Sequence, residues 1–289
     1  MGEIVILPLE IEKTIINFIK TKFQQDNLSV LFQNPLLREE VLDLLDRYCT
    51  VVYYPVDDTG NNGFRLKRMP FADGTRQDFV FINTAQTLEK QVFTAAHELG
   101  HIWNVDEVVI KEHNLEDTTD MREHIINRFA AILLMPDDKF GISVRAGLKE
   151  YGEQGKKTIT YVNLLRMIVG LMNHFFAPMK AVVLRLVELK FFREDVAKVL
   201  LGYDDITAEV FAERIHELCV ECGYTNLLNP SRKKYIEGLA QKLDIAERNN
   251  LVSPNKIRVM REKFGLPASS GELGLDDIIS LDTQEGREE

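Results

Sequence analysis

The sequence His97-Glu98-Leu99-Gly100-His101 brings together residue types that bind and use a metal ion. Residues four apart lie on the same face of an α-helix, with Cβ atoms about 5 to 6 Å apart, so His97 and His101 can bind one ion. Glu98 lies beside them, where a carboxylate can act as general base on water. The spacing is typical of zinc sites that hydrolyse amide bonds. The same five-residue pattern also arises by chance on solvent-exposed helices.

The residues around this motif predict an amphipathic helix over 91–103, with the two histidines near buried surface. Its apolar side consists of Val92, Phe93, Ala96, Leu99 and Gly100. A glycine inside a helix costs about 1 kcal/mol relative to alanine, which suggests that Gly100 is kept for close packing or for substrate.

A catalytic zinc ion takes three protein ligands and leaves one position open, so a third ligand is expected downstream. Glu123 is the best candidate, near the start of a second predicted helix over 120–135 that ends at Pro136. Asn127 lies one turn further on, where its amide oxygen can accept the free ring N–H of a metal-bound histidine. The alternative for Glu123 is a capping-box partner of Asp120.

The two predicted helices together resemble the ImmA/IrrE family of zinc metallo-endopeptidases, which are H-E-x-x-H, gluzincin-like proteins. The resemblance is carried by Phe93-Thr94-Ala95-Ala96-His97-Glu98-Leu99-Gly100-His101, Glu123, Asn127-Arg128-Phe129-Ala130-Ala131 and Leu133-Leu134-Met135-Pro136. It covers about residues 45–140. Ile126 and Ile132 depart from the family pattern, which often has Ala and Glu there, and these departures concern substrate preference more than chemistry.

The resemblance implies one Zn²⁺ per chain held by His97, His101 and Glu123, with Glu98 as the general base. Family members make site-specific cuts in helix-turn-helix repressors that control mobile elements or stress responses, so the expected partner is a repressor of this type. The alternative is a non-proteolytic, zincin-like anti-repressor or interaction protein that binds its partner without cleaving it. Retention of Glu98 favours the enzyme, since a purely structural site needs no base.

The fold class expected around this site is α+β: a zincin-like catalytic domain with a small antiparallel sheet, followed by a mostly helical C-terminal region. The elements predicted before the motif are helices at 10–25 and 35–48 and strands at 49–56, 64–69 and 77–83. Because an edge strand commonly binds extended substrate in such sites, Phe81 and Asn83 are the predicted substrate-binding residues. The alternative for the aromatic positions of this strand is core packing.

Helical patterns dominate the rest of the chain. The predicted helices lie at 137–151, 160–176, 179–189, 207–222, 231–249 and 254–264. The predicted organisation is N-terminal helices at 1–48, the metallopeptidase core at 49–152, a helix-turn-helix-like segment at 153–190, a C-terminal helical extension at 191–267 and an acidic, disordered tail at 268–289. The low basicity of the helix-turn-helix-like pair favours packing over DNA binding.

Composition supports a globular protein without a membrane role. The chain of 289 residues is 45% hydrophobic and 28% charged, with no apolar run near the roughly 18 residues of a membrane span. Its N-terminus lacks a basic leader, so we expect it in the cytoplasm. A net charge of −10 disfavours, without excluding, direct nucleic-acid binding. The basic segment 230–263 is either a docking surface for an acidic partner or DNA, or simply a solvated helical face.

Three cysteines and three further polar residues complete the candidates. All three cysteines are expected to be free thiols, and the C-x-x-C spacing of Cys219 and Cys222 lacks the second ligand pair of a structural zinc site. Residue spacing does not identify the group that stabilises the oxyanion of the reaction. His124, His174 and Tyr161 are the alternatives for this role.

Overall fold

The computed structural model describes residues 4–28, 37–58, 60–70, 76–152, 158–202 and 208–267. The predicted disordered tail at 268–289 lies outside these described residues. The chain packs as two compact units, Met1–Arg232 and Lys233–Glu289. Helices dominate both, and the first contains a small sheet, so the predicted α+β class is confirmed.

Two helices come before the sheet. Helix α1 spans Leu9–Gln25 and α2 spans Glu40–Asp46. In α1, Ile11, Ile15, Ile19 and Phe23 recur every fourth residue and are all buried in the core of the first unit. This single apolar stripe is why the segment forms a helix that packs on one face.

The sheet of the first unit is mixed, which corrects the prediction that it is antiparallel. Strands β1 (Thr50–Tyr54), β2 (Gly63–Pro70) and β3 (Arg76–Asn83) lie in the order β2-β3-β1. Strand β2 pairs antiparallel with β3, while β1 pairs parallel with it. Strands β2 and β3 form an antiparallel hairpin. Strand β3 lies between β2 and β1 and runs in the same direction as β1. Strand β3 is therefore central and its backbone is paired on both sides.

Four helices follow the sheet: α3 (Leu88–Ile102), α4 (Val105–His113), α5 (Thr119–Leu134) and α6 (Asp137–Tyr151). Helix α4 was not predicted, because its nine residues follow α3 after a short break at Asn104, which has a left-handed φ of 53°. Helix α5 begins at the N-cap Thr118, whose hydroxyl accepts from the backbone N–H of Met121 at 3.2 Å. It stops before Pro136, as predicted.

Helices α7 (Tyr161–Phe175) and α8 (Met179–Glu188) have the geometry, but not the exposure, of a helix-turn-helix. They meet at a bend of 104°, within the range of that motif. The second helix is buried through Ala181, Val182, Val183, Leu186 and Val187. Packing rather than DNA recognition accounts for α8.

Within the described residues, no helix on its own combines the length and apolar character needed to cross a membrane. Taken together, the bent pair α7 and α8 has the length and apolar content of a membrane span. The first unit also contains α9 (Glu194–Leu200) and α10 (Ala208–Glu221). Helix α10 contains Cys219 and ends one residue before Cys222, and all three cysteines of the chain are free. Burial raises the pKa of the Cys219 thiol to about 11, so it is protonated at neutral pH.

The second unit contains a short strand β4 (Tyr235–Ile236) and helices α11 (Leu239–Arg248) and α12 (Pro254–Phe264). Leu239, Leu243 and Ile257 form its small core. The helix predicted over 231–249 is wrong before Leu239, because Gly238 has a positive φ of 66° and marks the point where the helix begins.

A buried network of charged side chains lies beneath helices α1, α5 and α8. Glu12 binds Arg128 (Oε2 to Nη2, 2.8 Å) and Arg185 (Oε1 to Nη1, 3.2 Å), and Glu188 contacts both arginines. Arg185 is completely buried and also binds Asp137. Burial alone would raise the pKa of Glu12, but the two guanidinium groups outweigh it and hold that pKa below its ordinary value.

Candidate active site

Helices α3 and α5 form the walls of the site, and Gly100 allows their close approach. A Cβ atom at position 100 would lie 2.7 Å from Cδ1 of Phe129 and 3.2 Å from Cδ1 of Ile126, both on α5. The packing reason suggested for this glycine is therefore present. It brings the histidines of α3 opposite the first turns of α5.

The structure brings His97, His101 and Glu123 around one point. The Nε2 of His97 lies 3.3 Å from Oε2 of Glu123, and the Nε2 of His101 lies 3.4 Å from Oε1 of the same carboxylate. Ligand atoms bound at about 2.0 to 2.1 Å around a tetrahedral ion are about 3.4 Å apart. Two imidazoles and one carboxylate at this spacing fit a divalent metal ion. Among the described residues, no other group of three His, Cys, Asp or Glu side chains places its ligand atoms within 4.8 Å of one another.

Glu123 does not cap its helix, which was the alternative interpretation. Thr118 is the N-cap, and its side chain bonds the backbone N–H of Met121. The carboxylate of Glu123 instead points across to α3. Its hydrogen bond with His97 is the main influence that lowers the pKa of Glu123 below its ordinary value, so the group is an anion at neutral pH.

Asn127 determines which nitrogen of His97 faces the site. The Nδ1 of His97 lies 3.1 Å from Oδ1 of Asn127. Since an amide oxygen only accepts hydrogen bonds, Nδ1 carries the hydrogen and donates it. Nε2 then faces Glu123, and in the neutral ring it carries the lone pair that would bind a metal ion. This contact is the one expected from the spacing of Asn127 on its helix.

Glu98 lines the same cleft as His97 and Glu123, and one of its carboxylate oxygens accepts no hydrogen bond from the described residues. The residue is 6% exposed, and its Oε2 has no hydrogen-bond partner in the described part of the protein. Burial raises the pKa of Glu98, and the charges of His97 and Arg65 only partly oppose this effect. A buried, unbonded carboxylate beside a candidate metal position is suited to taking a proton from water.

Arg65 on β2 fastens the end of α3 to the sheet, and the sequence did not reveal this role. Its Nη1 donates to the backbone oxygen of His101 at 2.8 Å, and its Nη2 donates to Oδ2 of Asp78 at 2.6 Å. The contact joins residues 36 positions apart, and no local pattern marks it. Arg65 therefore fixes the height of His101 above the sheet.

A cleft of about 550 Å³ opens in front of these residues. Its opposite wall is the loop between β1 and β2, with Asp58, Asn61 and Asn62 facing the cleft, and Phe93 and Thr94 of α3 line one side. A volume of this size accommodates a few residues of a bound chain.

The predicted substrate contact by Asn83 is corrected by its position. Its side chain is fully buried, and its amide nitrogen donates to the backbone oxygens of Val56 at 2.9 Å and Asn61 at 2.7 Å. Its Oδ1 accepts from the backbone N–H groups of Val56 and Ala85 at 3.0 Å. Asn83 thus holds the loop that lines the cleft.

The role predicted for Phe81 also does not fit the sheet. The residue lies on the central strand, which has no free edge for a substrate strand, and its ring packs on Phe64 with centroids 5.1 Å apart. Packing, the alternative interpretation, describes Phe81 better. Of the three alternatives for stabilising an oxyanion, His124 lines an adjoining cavity, while His174 and Tyr161 lie on α7 and line neither cavity.

Comparisons with known proteins complete the description of the site. The sequence model of the IrrE N-terminal-like domain of peptidase family M78 matches residues 47–186. No curated protein matches the chain. A solved structure described as a Mycobacterium tuberculosis transcriptional regulator is similar at 19% sequence identity and a TM-score of 0.35, over 64% of this chain and 54% of that one. This chain therefore spans about half the length of that protein.

The matched residues include β1 to β3 and both helices of the cleft, from which all four residues of the metal motif come. A metallopeptidase-like domain is therefore supported by the family match and by the arrangement of His97, His101 and Glu123. The match of residues 47–186 to the IrrE N-terminal-like domain of peptidase family M78 supports assigning this domain to the ImmA/IrrE family.

Proposed function

We propose that this protein is a zinc-dependent endopeptidase that makes a site-specific cut in a regulatory protein, a helix-turn-helix repressor. One observation carries the catalytic part of the proposal. His97, His101 and Glu123 each place a ligand atom within 4.8 Å of the other two, and a buried carboxylate oxygen of Glu98 without a hydrogen-bond partner among the described residues lines the same cleft.

Each side chain of the site has a role that follows from its position. His97, His101 and Glu123 would hold the ion, and Asn127 keeps His97 in the tautomer that presents Nε2. When bound, the ion supplies a Lewis acid that polarises a peptide carbonyl and lowers the pKa of water. Glu98 takes the proton from the attacking water and delivers it to the amine of the departing peptide.

The shape of the cleft supports cleavage of an extended segment. The loop held by Asn83 and the side of α3 leave a trough of about 550 Å³, which fits a few residues of chain and not a folded domain. An exposed linker of a repressor meets this requirement. The choice of a repressor as substrate rests on the family resemblance carried by the two helices.

Metal content tests the site directly. We expect about one zinc ion per purified chain, lost in His97→Ala and retained in Glu98→Gln, because Glu98 is not a ligand. Gentle purification with no bound zinc, and no uptake on titration, would overturn the proposal.

Cleavage of candidate repressors tests the activity. Purified helix-turn-helix regulators from the same genome are incubated with the zinc-loaded chain, and new N-termini are identified by mass spectrometry. Glu98→Gln should reduce the rate by a factor of about 10³ or more, whereas Glu107→Gln, an exposed glutamate on α4, should leave it unchanged. If Glu98→Gln releases a repressor from DNA as well as the parent does, the protein works by binding without cleavage.

A further inference from the structure

A second cavity of about 470 Å³ adjoins the metal cleft. Asn62, Phe93, Thr94 and Asn127 line both spaces, so the two are adjacent. A chain lying in the cleft therefore passes the mouth of this cavity, which we call the side pocket. Its size is within the usual range for binding small ligands or side chains.

The inner wall of the side pocket is apolar. Ile4 and Leu7, which precede α1, form part of it, and Phe93, Ala181 and Leu184 form the rest. Ile4 and Leu7 are each 8% exposed, so this segment is anchored in the core of the first unit. The wall is suited to an apolar side chain.

The charged groups of the side pocket are mainly cationic. Lys90 and Lys180 line it, and both are exposed. Lys90 lies in the first turn of α3 and Lys180 in the first turn of α8, where the helix dipoles already favour negative charge. The one carboxylate of the lining, Glu188, is engaged by Arg128 and Arg185.

A buried arginine, Arg128, also lines the side pocket, but Glu12 and Glu188 balance its charge. Arg128 is 5% exposed and lines the cavity, and its Nε has no hydrogen-bond partner among the described residues. The two exposed lysines, Lys90 and Lys180, are therefore the cations available to a ligand in the side pocket.

We propose that the side pocket determines the sequence preference of the peptidase by binding a substrate segment that carries a carboxylate next to an apolar side chain. This inference rests on the proposed function. The two lysines attract the carboxylate, and the apolar wall takes the neighbouring side chain. Together these effects fix which bond lies at the metal residues.

The test uses the full-length, zinc-loaded Glu98→Gln protein, so that peptides bind without being consumed. Two libraries of capped decapeptides are compared, one containing Asp and Glu and the other containing Asn and Gln in their place. Enrichment is read by mass spectrometry. We expect the acidic library to be enriched in peptides with Asp or Glu next to a large apolar residue. Equal enrichment of the two libraries would overturn the proposal.

Variants assign the preference to the side pocket. Lys90→Gln with Lys180→Gln should weaken binding of the best acidic peptide by about 5- to 20-fold, taking about two- to fivefold for each exposed charge. The matched pair Lys149→Gln with Lys198→Gln, both exposed lysines outside the pocket, should change it less than about twofold. Lys180→Glu should favour peptides that carry Lys or Arg in place of the acidic residue. Equal effects of the two lysine pairs would contradict the assignment.

The readouts separate this inference from the proposed function. If Glu98→Gln binds acidic peptides selectively but the parent cleaves none, the side pocket stands and the peptidase proposal fails. If the parent cleaves peptides without regard to acidic residues, the peptidase stands and the side pocket assignment is wrong.

Discussion

His97 on α3 and Asn127 on α5 are joined by a hydrogen bond of 3.1 Å between Nδ1 and Oδ1. The contact links the helix that carries two candidate metal ligands to the helix that carries the third. It fixes the tautomer of His97 and the rotation of its ring at once. Orientation of one ligand therefore depends on a residue that does not bind the ion.

Asn127→Ala should lower zinc affinity by about 10- to 100-fold, because the ring of His97 loses the partner that orients it. Competition with a chelator measures the affinity, and urea unfolding of the metal-free protein measures stability. The comparison variant is Asn173→Ala on α7, away from both cavities. Unchanged affinity in Asn127→Ala would show that α3 alone positions the ring.

Two helical glycines should respond in opposite ways to alanine. Gly100→Ala places a methyl group 2.7 Å from the fully buried ring of Phe129, so we expect a loss of about 1 to 3 kcal/mol in the free energy of unfolding. Gly170→Ala on α7 has no atom within 4 Å of the added Cβ and should gain up to about 1 kcal/mol from helix propensity. Urea denaturation measures both. A stabilised Gly100→Ala would mean that α5 can move away at little cost.

Glu12→Gln should destabilise the protein by about 3 kcal/mol at pH 7, because Arg128 and Arg185 lose a buried anionic partner. The pKa of Glu12 is lower in the folded than in the unfolded chain, so its stabilising effect is complete above the ordinary glutamate pKa of about 4.3. That effect is lost as the pH falls through the lower folded-state pKa.

The difference in unfolding free energy between the parent and Glu12→Gln should therefore shrink in acid. Urea unfolding at pH 7 and at a series of acidic pH values measures it. Glu10→Gln, an exposed position on the same helix, serves as the control and should be neutral throughout. A difference that grows as the pH falls would contradict the sign of the pKa shift.

Asn83→Ala should loosen the loop that lines the cleft. The substitution removes the acceptor of the Val56 and Ala85 amides and the donor to the Val56 and Asn61 carbonyls. Because these partly buried backbone groups lose their partners, we expect a cost of about 2 to 3 kcal/mol and faster amide exchange at Val56. Hydrogen exchange followed by mass spectrometry measures this. Exchange unchanged at Val56 would show that the loop is held by other contacts.

Several elements could be predicted because their causes are local. The four-residue spacing of His97 and His101 puts both on one helix face wherever that helix packs. Apolar periodicity places α1, α5 and α7 within one or two residues, and Pro136 ends α5 by removing a backbone donor. Glu123 was predicted because a catalytic zinc ion needs a third ligand, and its contact with His97 and His101 depends on the packing of α5 against α3.

Other features depended on contacts between distant residues. Arg65 and His101 meet across 36 positions, and Arg185 meets Glu12 across 173, and nothing near either residue marks its partner. Asn83 ends strand β3, and the pattern of side chains along that strand does not show that Asn83 is buried. The parallel pairing of β1 and β3 depends on which side β2 occupies, and side-chain alternation is the same for either arrangement.

The sequence by itself determined the chemistry of the site, since ligand type and helical spacing are properties of short segments. Only the tertiary structure decided the surroundings: the loop opposite the histidines, the charge network under α5, and the side pocket between α3 and α8. Those features arise where elements remote in the chain pack together, and packing is decided by the whole set of buried surfaces rather than by any one of them.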